Sequence, residues 1–148
     1  MDDIFYMKAA LKEAEYAFEE GEVPVGAVVV FKDRIISRAH NQVETLNDST
    51  AHAEMLALTG AMNYMGAKYL HNCVLYVTLE PCVMCVGAVN WSQVSKVVYG
   101  ACDAKKGFSN YGNLLASNID VVPGIMKEES EMLLKRFFRQ RREDKGGV

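Results

Sequence analysis

The fold is decided by residues 73–85, which read CVLYVTLEPCVMC. Cys73–Leu79 is an apolar run rich in β-branched and aromatic residues, which is typical of a buried strand. Pro81 favours the first turn of a helix, where its missing N–H costs nothing. Cys82 and Cys85, at positions i and i+3, would lie on one face of that helix. The stretch predicts a strand leading into a helix whose first turn carries two cysteines.

A second motif, residues 51–54 (AHAE), opens another helical run. Helix N-termini favour thiolates, which bind metals, so His52, Cys82 and Cys85 could fill three positions of a tetrahedral zinc ion. An open fourth position is typical of a catalytic site. Glu54 should not be a ligand through the same helix face as His52. Its carboxylate could instead take a proton from a water beside the metal and return it to a substrate.

The alternative for the cysteines is a structural zinc ion or a redox pair of thiols. A structural zinc needs a fourth ligand, for which Cys73, Cys102 and His71 are available. Cys73 lies in a predicted buried strand, where cysteine usually acts as a small apolar residue. Cys102 opens a predicted loop and is the better candidate. The combination of His-x-Glu with Pro-Cys-x-x-Cys favours the catalytic interpretation.

Composition is that of a soluble globular chain. Its 148 residues are half apolar, so we expect a single domain covering residues 1–148. No apolar run approaches the roughly 20 residues of a membrane helix. The acidic start is unlike a signal peptide, and four cysteines without a secretion signal indicate thiols or ligands. We therefore expect a cytoplasmic protein.

Charge is distributed unevenly along the chain, although the formal net charge is only −3. The first predicted helix is acidic, and the C-terminal segment is basic. The basic residues are Lys135, Arg136, Arg139, Arg141, Arg142 and Lys145. A local basic patch can bind phosphates even on an acidic protein, whereas the alternative is a solvated helix face.

Periodicity predicts alternating helices and strands. The predicted order is a helix ending at Gly21, strands 25–31 and 34–39, a polar loop 40–49, a helix from His52 to Gly66 capped by residues 48–50, strand 73–79, helix 82–91, strand 95–101, loop 102–113, strand 119–122 and helix 126–142. Gly26 indicates a close backbone approach by a ligand or a bend in the packing. This order predicts a sheet between helix layers, and its hairpin makes the sheet mixed.

The two motifs resemble the signature of zinc-dependent nucleotide and nucleobase deaminases. Longer blocks look like tRNA-specific adenosine deaminases, a family within that superfamily. The blocks are residues 22–28, 50–54, 76–85, 98–101, 103–105 and 137–142. The likeness covers nearly the whole chain. It implies the cytidine-deaminase-like α/β fold, a three-layer α/β/α sandwich around a mixed, mostly parallel five-stranded sheet.

The resemblance also implies the reaction and the partners. The reaction is hydrolytic deamination of adenosine to inosine at the wobble position of a tRNA anticodon, with one Zn²⁺ per subunit of a homodimer. Glu54 would move protons, and the target base would be splayed out of the anticodon loop. Trp91 would lie in the dimer interface or in the core.

RNA contacts are implied for six residues. Asn41 would contact the base, and Asp103 and Lys105 would contact the flanking nucleotides. Phe138 would contact the anticodon stem-loop together with Arg139 and Arg142, and Phe137 is the alternative to Phe138. From the residues alone, Asn41 is a turn residue. One departure is a shortened 106–122 region, where residues 108–113 (FSNYGN) replace a longer family segment. That departure leaves a free-base deaminase of the guanine or cytosine type as the alternative.

Overall fold

A computed structural model describes the backbone of residues 1–146 and the side chains of residues 1–144, so the side chain of Lys145 lies outside the described part. The elements are α1 (Asp3–Glu19), β1 (Gly26–Phe31), β2 (Arg34–His40), α2 (Val43–Leu46), α3 (Ala53–Met65), β3 (Cys73–Leu79), α4 (Val83–Ser92), β4 (Lys96–Ala101), a 3-10 turn (Phe108–Tyr111), β5 (Asp120–Val122) and α5 (Lys127–Gly146). Among these helices, none has both the length and the apolar character needed to cross a bilayer.

The strands form one sheet in the order β2-β1-β3-β4-β5. Strand β1 pairs antiparallel with β2 and with β3, while β3 with β4 and β4 with β5 pair in parallel. Strand β1 is therefore the strand of this sheet that runs against the other four. The predicted fold class is confirmed.

Helices cover both faces of the sheet, which gives the three layers. Helices α1 and α5 pack on one face, where Met7 and Ala10 meet Val28, Tyr76 and Val98. Helices α3 and α4 pack on the other face, in a larger apolar cluster. Residues of that cluster include Ala57, Leu58, Leu75, Val77, Val86, Val89 and Val97. Successive side chains of β3 point to opposite faces of the sheet, so they pack into the two different cores.

Gly26 is required by the packing of α1 on the sheet. A Cβ atom there would clash with the carbonyl oxygen of Ala10 and would lie 2.5 Å from the amide nitrogen of Ala14. The close backbone approach predicted at Gly26 is therefore made by a helix and not by a ligand.

Two parts of the predicted loops are ordered, which corrects the sequence analysis. The 40–49 segment contains α2, because the buried carboxylate of Glu22 accepts hydrogen bonds from the amides of Glu44 (3.1 Å) and Thr45 (2.7 Å). The 102–113 segment contains the 3-10 turn at Phe108–Tyr111. In α2 the capping group comes from a distant residue, so the local sequence carries no signal for it.

Two helix starts also differ from prediction. Residues 48–50 do not cap α3, because Asp48 accepts hydrogen bonds from the amide (2.8 Å) and hydroxyl (2.7 Å) of Thr50 instead. The N-cap of α3 is His52. Helix α4 begins at Val83 with Cys82 as its N-cap, so Pro81 precedes the helix instead of standing in its first turn.

Candidate metal centre and active site

Three predicted metal ligands converge at the N-termini of α3 and α4. The Nδ1 atom of His52 lies 3.7 Å from Sγ of Cys82 and 3.5 Å from Sγ of Cys85. Zinc bonds of about 2.3 Å to sulfur and 2.0–2.1 Å to nitrogen, at tetrahedral angles, place nitrogen and sulfur about 3.6 Å apart. The three side chains therefore fit a zinc ion. Their role as its ligands stays a prediction that this geometry supports.

The other candidate ligands lie apart from this cluster. Within residues 1–144, the three side chains His52, Cys82 and Cys85 are the group whose donor atoms lie within 4.8 Å of one another. Cys73 is buried in β3, and Cys102 is exposed. The geometry thus offers a zinc ion three protein donors and leaves a coordination position for water, which is the catalytic arrangement.

Protonation of the two thiols is unequal without a cation. Hydrogen bonds from Cys85 and His52 lower the pKa of Cys82 to about 3, which favours its thiolate form. The hydrogen bond to Cys82 and burial raise the pKa of Cys85 far above its usual value, so this thiol keeps its proton. The hydrogen bond to Cys82 also raises the pKa of His52. A metal ion that binds both sulfurs would displace the Cys85 proton.

Glu54 lies beside the cluster on the first turn of α3. It is only 4% exposed, and this burial raises the pKa of its carboxyl group. His52 and Cys85 are close enough to affect that pKa as well. A carboxyl group whose pKa is raised holds a proton more readily than an exposed one, which suits general acid and base chemistry. The structure places Glu54 where the sequence predicts it, and its catalytic role stays a prediction.

A cavity of about 250 Å³ opens above the cluster, and its wall includes Asn41, Glu54 and Asp103. The Nδ2 atom of Asn41 donates to the carbonyl oxygen of Val23 (3.3 Å), whereas its buried Oδ1 has no partner among the described residues. A buried acceptor without a partner costs free energy that a ligand donor can recover. Asn41 is thus available to a bound molecule.

The loop after β4 contributes both to this cavity and to a larger one beside it, of about 930 Å³. Asp103 and Lys106 line both cavities, while Lys105 lines only the larger one. One carboxylate oxygen of Asp103 accepts the backbone amides of Lys105 (3.1 Å) and Lys106 (3.0 Å). This side chain therefore shapes its own turn as well as the cavity wall.

Helix α5 divides its predicted contacts between core and surface. Phe137 is buried against Phe18, with an edge-to-face ring geometry. Phe138 is 46% exposed and lines the larger cavity, as does Arg142. Arg139 lines neither cavity. Its predicted RNA contact would have to lie further out on the helix.

Sequence reasoning missed several residues of the site. Glu22, Glu80, Lys106 and Arg141 all line the cavity above the cluster. The sequence pointed to some of them only because they lie next to recognised motifs: Glu80 directly precedes Pro81, and Lys106 follows Lys105. Adjacency along the chain does not tell which side chains point into a cavity.

Comparison with known proteins supports the chemistry of the site. The family model described as the cytidine and deoxycytidylate deaminase zinc-binding region matches residues 1–101. The chain belongs to this deaminase family. Its zinc-binding character, together with the ligand cluster, confirms the prediction of zinc as the cofactor of this deaminase.

Relatives of this deaminase support a narrower resemblance. The tRNA-specific adenosine deaminase of Bacillus subtilis is 50% identical over 149 residues, covering 97% of this chain and 92% of the relative. A solved structure from work on A-to-I editing by tRNA:A34 deaminases is 38% identical, with a TM-score of 0.83, covering 88% of this chain and 99% of the other. A guanine deaminase from Nitrosomonas europaea is 27% identical, with a TM-score of 0.80 and coverage of 92% and 84%. The resemblance to tRNA-specific adenosine deaminases is confirmed.

The ligand set can be tested by replacing single cysteines. We expect Cys82→Ser to lose most of its bound zinc, because a neutral hydroxyl replaces a thiolate ligand. Zinc per chain is measured by plasma mass spectrometry after dialysis. Cys102→Ser is the matched control and should keep one zinc per chain. Full zinc in Cys82→Ser, or zinc loss in Cys102→Ser, would show that the proposed ligands are wrong.

Proposed function

We propose that this chain, as one deaminase domain over residues 1–148, hydrolyses adenosine to inosine at the wobble position of a tRNA anticodon. The observation that carries the proposal is the cluster of His52, Cys82 and Cys85 beside buried Glu54. The cavity over this cluster shares lining residues with a larger cavity whose wall is rich in basic residues. Relatives that share 40–50% of its sequence and cover at least nine-tenths of its length are tRNA-specific adenosine deaminases.

Zinc held by the cluster would supply a water of lowered pKa as the nucleophile for hydrolysis. The chain's own contribution is the movement of protons. Glu54, whose pKa is raised by burial, accepts a proton from that water and delivers it to N1 of the adenine ring. Once the water oxygen has bonded to C6, the same carboxylate takes the remaining proton of that oxygen and passes it to the amine. The bond between C6 and the amine nitrogen then breaks, and ammonia leaves.

The target base would enter the smaller cavity as a single splayed nucleotide. A cavity of about 250 Å³ is small beside the roughly 300–1,000 Å³ of drug-sized ligand sites, which suits one base in place of a stacked pair. The free Oδ1 of Asn41 accepts a hydrogen bond from the bound nucleoside. Asp103 lies at the boundary of the two cavities and contacts the neighbouring nucleotide.

The larger cavity would hold the rest of the anticodon stem-loop. Its wall combines the exposed ring of Phe138 with cationic side chains. These cations are Lys105, Lys106, Lys135, Arg141 and Arg142. Aromatic rings stack on unpaired bases, and cations bind the phosphates between them. These positions support the predicted roles of Lys105, Phe138 and Arg142. Arg139 would reach the stem from the outer face of α5.

The enzyme would act in the cytoplasm as a homodimer. Trp91 is 80% exposed and Val83 is 47% exposed, and both lie on the outer side of α4, the helix that carries Cys85. Spaced eight residues apart, they share one helix face. Large apolar side chains grouped on a surface are typical of protein interfaces. A second copy packed on this face would place two active centres near one RNA.

The reaction itself is tested with a choice of substrates. Zinc-loaded protein is incubated with an anticodon stem-loop RNA carrying adenosine at the wobble position and, separately, with guanine and with cytosine. We expect inosine in the RNA and one ammonia per inosine, measured by nucleoside mass spectrometry and an ammonia assay. Glu54→Gln should keep its zinc and lose at least about a hundredfold in rate, because general acid and base catalysis contributes roughly 10²–10⁴.

Each outcome of that experiment has a separate meaning. Conversion of guanine or cytosine with the RNA left unmodified would replace the proposal by a free-base deaminase. Absence of ammonia from all three would contradict an enzymatic role. Full activity in Glu54→Gln would remove Glu54 from the mechanism.

The RNA surface is tested by charge removal on α5. We expect Arg139→Ala combined with Arg142→Ala to weaken stem-loop binding, because one to two phosphate contacts are lost. The slope of the logarithm of the binding constant against the logarithm of salt concentration should become shallower by about 0.7–0.9 for each lost contact. Binding is measured by fluorescence anisotropy at several salt concentrations. Arg34→Ala combined with Arg38→Ala, on exposed positions of edge strand β2, removes the same charge and should change little. If both double variants weakened binding equally, the α5 residues would contribute only through the net charge of the protein, and the proposed RNA contact on α5 would be wrong.

The dimer is tested at its proposed interface. Trp91→Glu should convert the dimer to a monomer, because burying an unpaired carboxylate is strongly unfavourable. Light scattering after size-exclusion chromatography reports the mass directly. Tyr64→Glu, another exposed aromatic residue at 61% exposure on α3, serves as the control and should stay dimeric. A monomeric parent chain, or a dimeric Trp91→Glu, would contradict this interface.

A further inference from the structure

Glu80 is a buried carboxylate that the chemistry above does not use. It is 3% exposed and lies between β3 and the metal ligand Cys82. Its Oε1 accepts the amide hydrogen of Asp103 (3.1 Å), and its Oε2 accepts that of Ser109 (2.9 Å). Among the described side chains, no lysine or arginine forms a salt bridge with it. Two backbone amides therefore stabilise this charge in place of an ion pair.

Residues 103–109 fold around this carboxylate, and we call them the 103–109 loop. The amide of Gly107 donates to the carbonyl oxygen of Asp103 (3.0 Å), which closes the loop. A Cβ atom on Gly107 would clash with the carboxylate of Glu80 and would lie 2.6 Å from the carbonyl oxygen of Asp103. The loop and the carboxylate thus fit each other closely enough to exclude a methyl group.

The same segment ties the loop to the metal cluster. The amide of Phe108 donates to the carbonyl oxygen of Pro81 (3.0 Å), and Cys82 and Gly107 form an antiparallel β-bridge. The loop is therefore attached to each of residues 80, 81 and 82. A displacement of the 103–109 loop relative to Cys82 would have to break them.

The 103–109 loop in turn supplies the cavity walls. Asp103 and Lys106 line the cavity above the cluster, and both of these residues with Lys105 line the larger basic cavity. The position of these side chains over the metal cluster is set by the loop backbone. That backbone is held at both of its ends by the carboxylate of Glu80.

We propose that Glu80 is a positioning residue, which holds the 103–109 loop at a fixed place over the metal cluster so that its side chains can bind the RNA around the target base. This inference rests on the proposed function. A carboxylate suits the task because each of its oxygens accepts one amide hydrogen. The amide of glutamine offers only one acceptor and would turn an N–H donor toward the other backbone amide.

The test is Glu80→Gln, assayed as zinc-loaded enzyme on the anticodon stem-loop. We expect KM to rise by about tenfold, the factor associated with losing one hydrogen bond to a charged group, with kcat changed by less than about twofold. Zinc should stay at one per chain. A merely structural role would act differently, because it would lower the amount of folded enzyme, and so the apparent kcat, while leaving KM unchanged.

A second variant approaches the same contact from the other side. Gly107→Ala adds a methyl group against the carboxylate of Glu80 and should raise KM in the same way. If Glu80→Gln does not fold, the KM of Gly107→Ala decides whether Glu80 positions the loop. Asp3→Asn is the matched control. Its carboxylate accepts a hydrogen bond from Tyr76 (2.7 Å) and pairs with Lys96, at the far end of β4, so its loss should leave KM unchanged.

The outcomes separate this inference from the proposed function. A raised KM in Glu80→Gln or Gly107→Ala, with zinc and kcat retained, supports the positioning role. An unchanged KM in both variants, or zinc loss in them, overturns the inference alone. A parent enzyme that leaves the stem-loop unmodified overturns the proposed function and this inference with it.

Discussion

The structure depends on two helix N-termini that meet at the carboxyl end of the central strand β3. His52 and Cys82 are the N-cap residues of α3 and α4, and Cys85 follows on the first turn of α4. The partial positive charge at each helix N-terminus favours the thiolate form of a cysteine over the thiol. Because β3 leads directly to α4, the parallel pairing of β3 with β4 and the packing of both helices on one face fix the distances between the three donor atoms.

Two buried carboxylates hold segments that line the cavity beside this centre. Glu22 accepts two amides of α2, and Glu80 accepts two amides of the 103–109 loop. Both elements are irregular or very short, so neither has enough internal hydrogen bonding to hold its shape alone. The rigid sheet and helices position the reacting groups, while these carboxylates position the segments that meet the substrate.

This division explains what could be predicted from the sequence. Strand β3, helices α3 and α4 and the clustering of His52, Cys82 and Cys85 were predictable, because apolar periodicity is a local property and the two motifs are recognisable by their residue types. Helix α2 was not, since Glu22 holds it through a tertiary contact. The cap of α3 was not, since Asp48 bonds Thr50 two residues away and leaves the helix uncapped. On α5, neighbouring aromatic residues could not be assigned in advance: Phe137 is core and Phe138 is exposed, a difference set by how the helix packs on α1.

The central claim is that the chain gives zinc three donors and leaves the fourth to solvent beside Glu54. X-ray absorption spectroscopy of the zinc-loaded protein tests it most directly, since sulfur and light-atom shells are resolved by distance. The account predicts two sulfur atoms at about 2.3 Å and two nitrogen or oxygen atoms at about 2.0–2.1 Å. Three or four sulfur atoms would contradict it, because Cys73 or Cys102 would then close the coordination sphere.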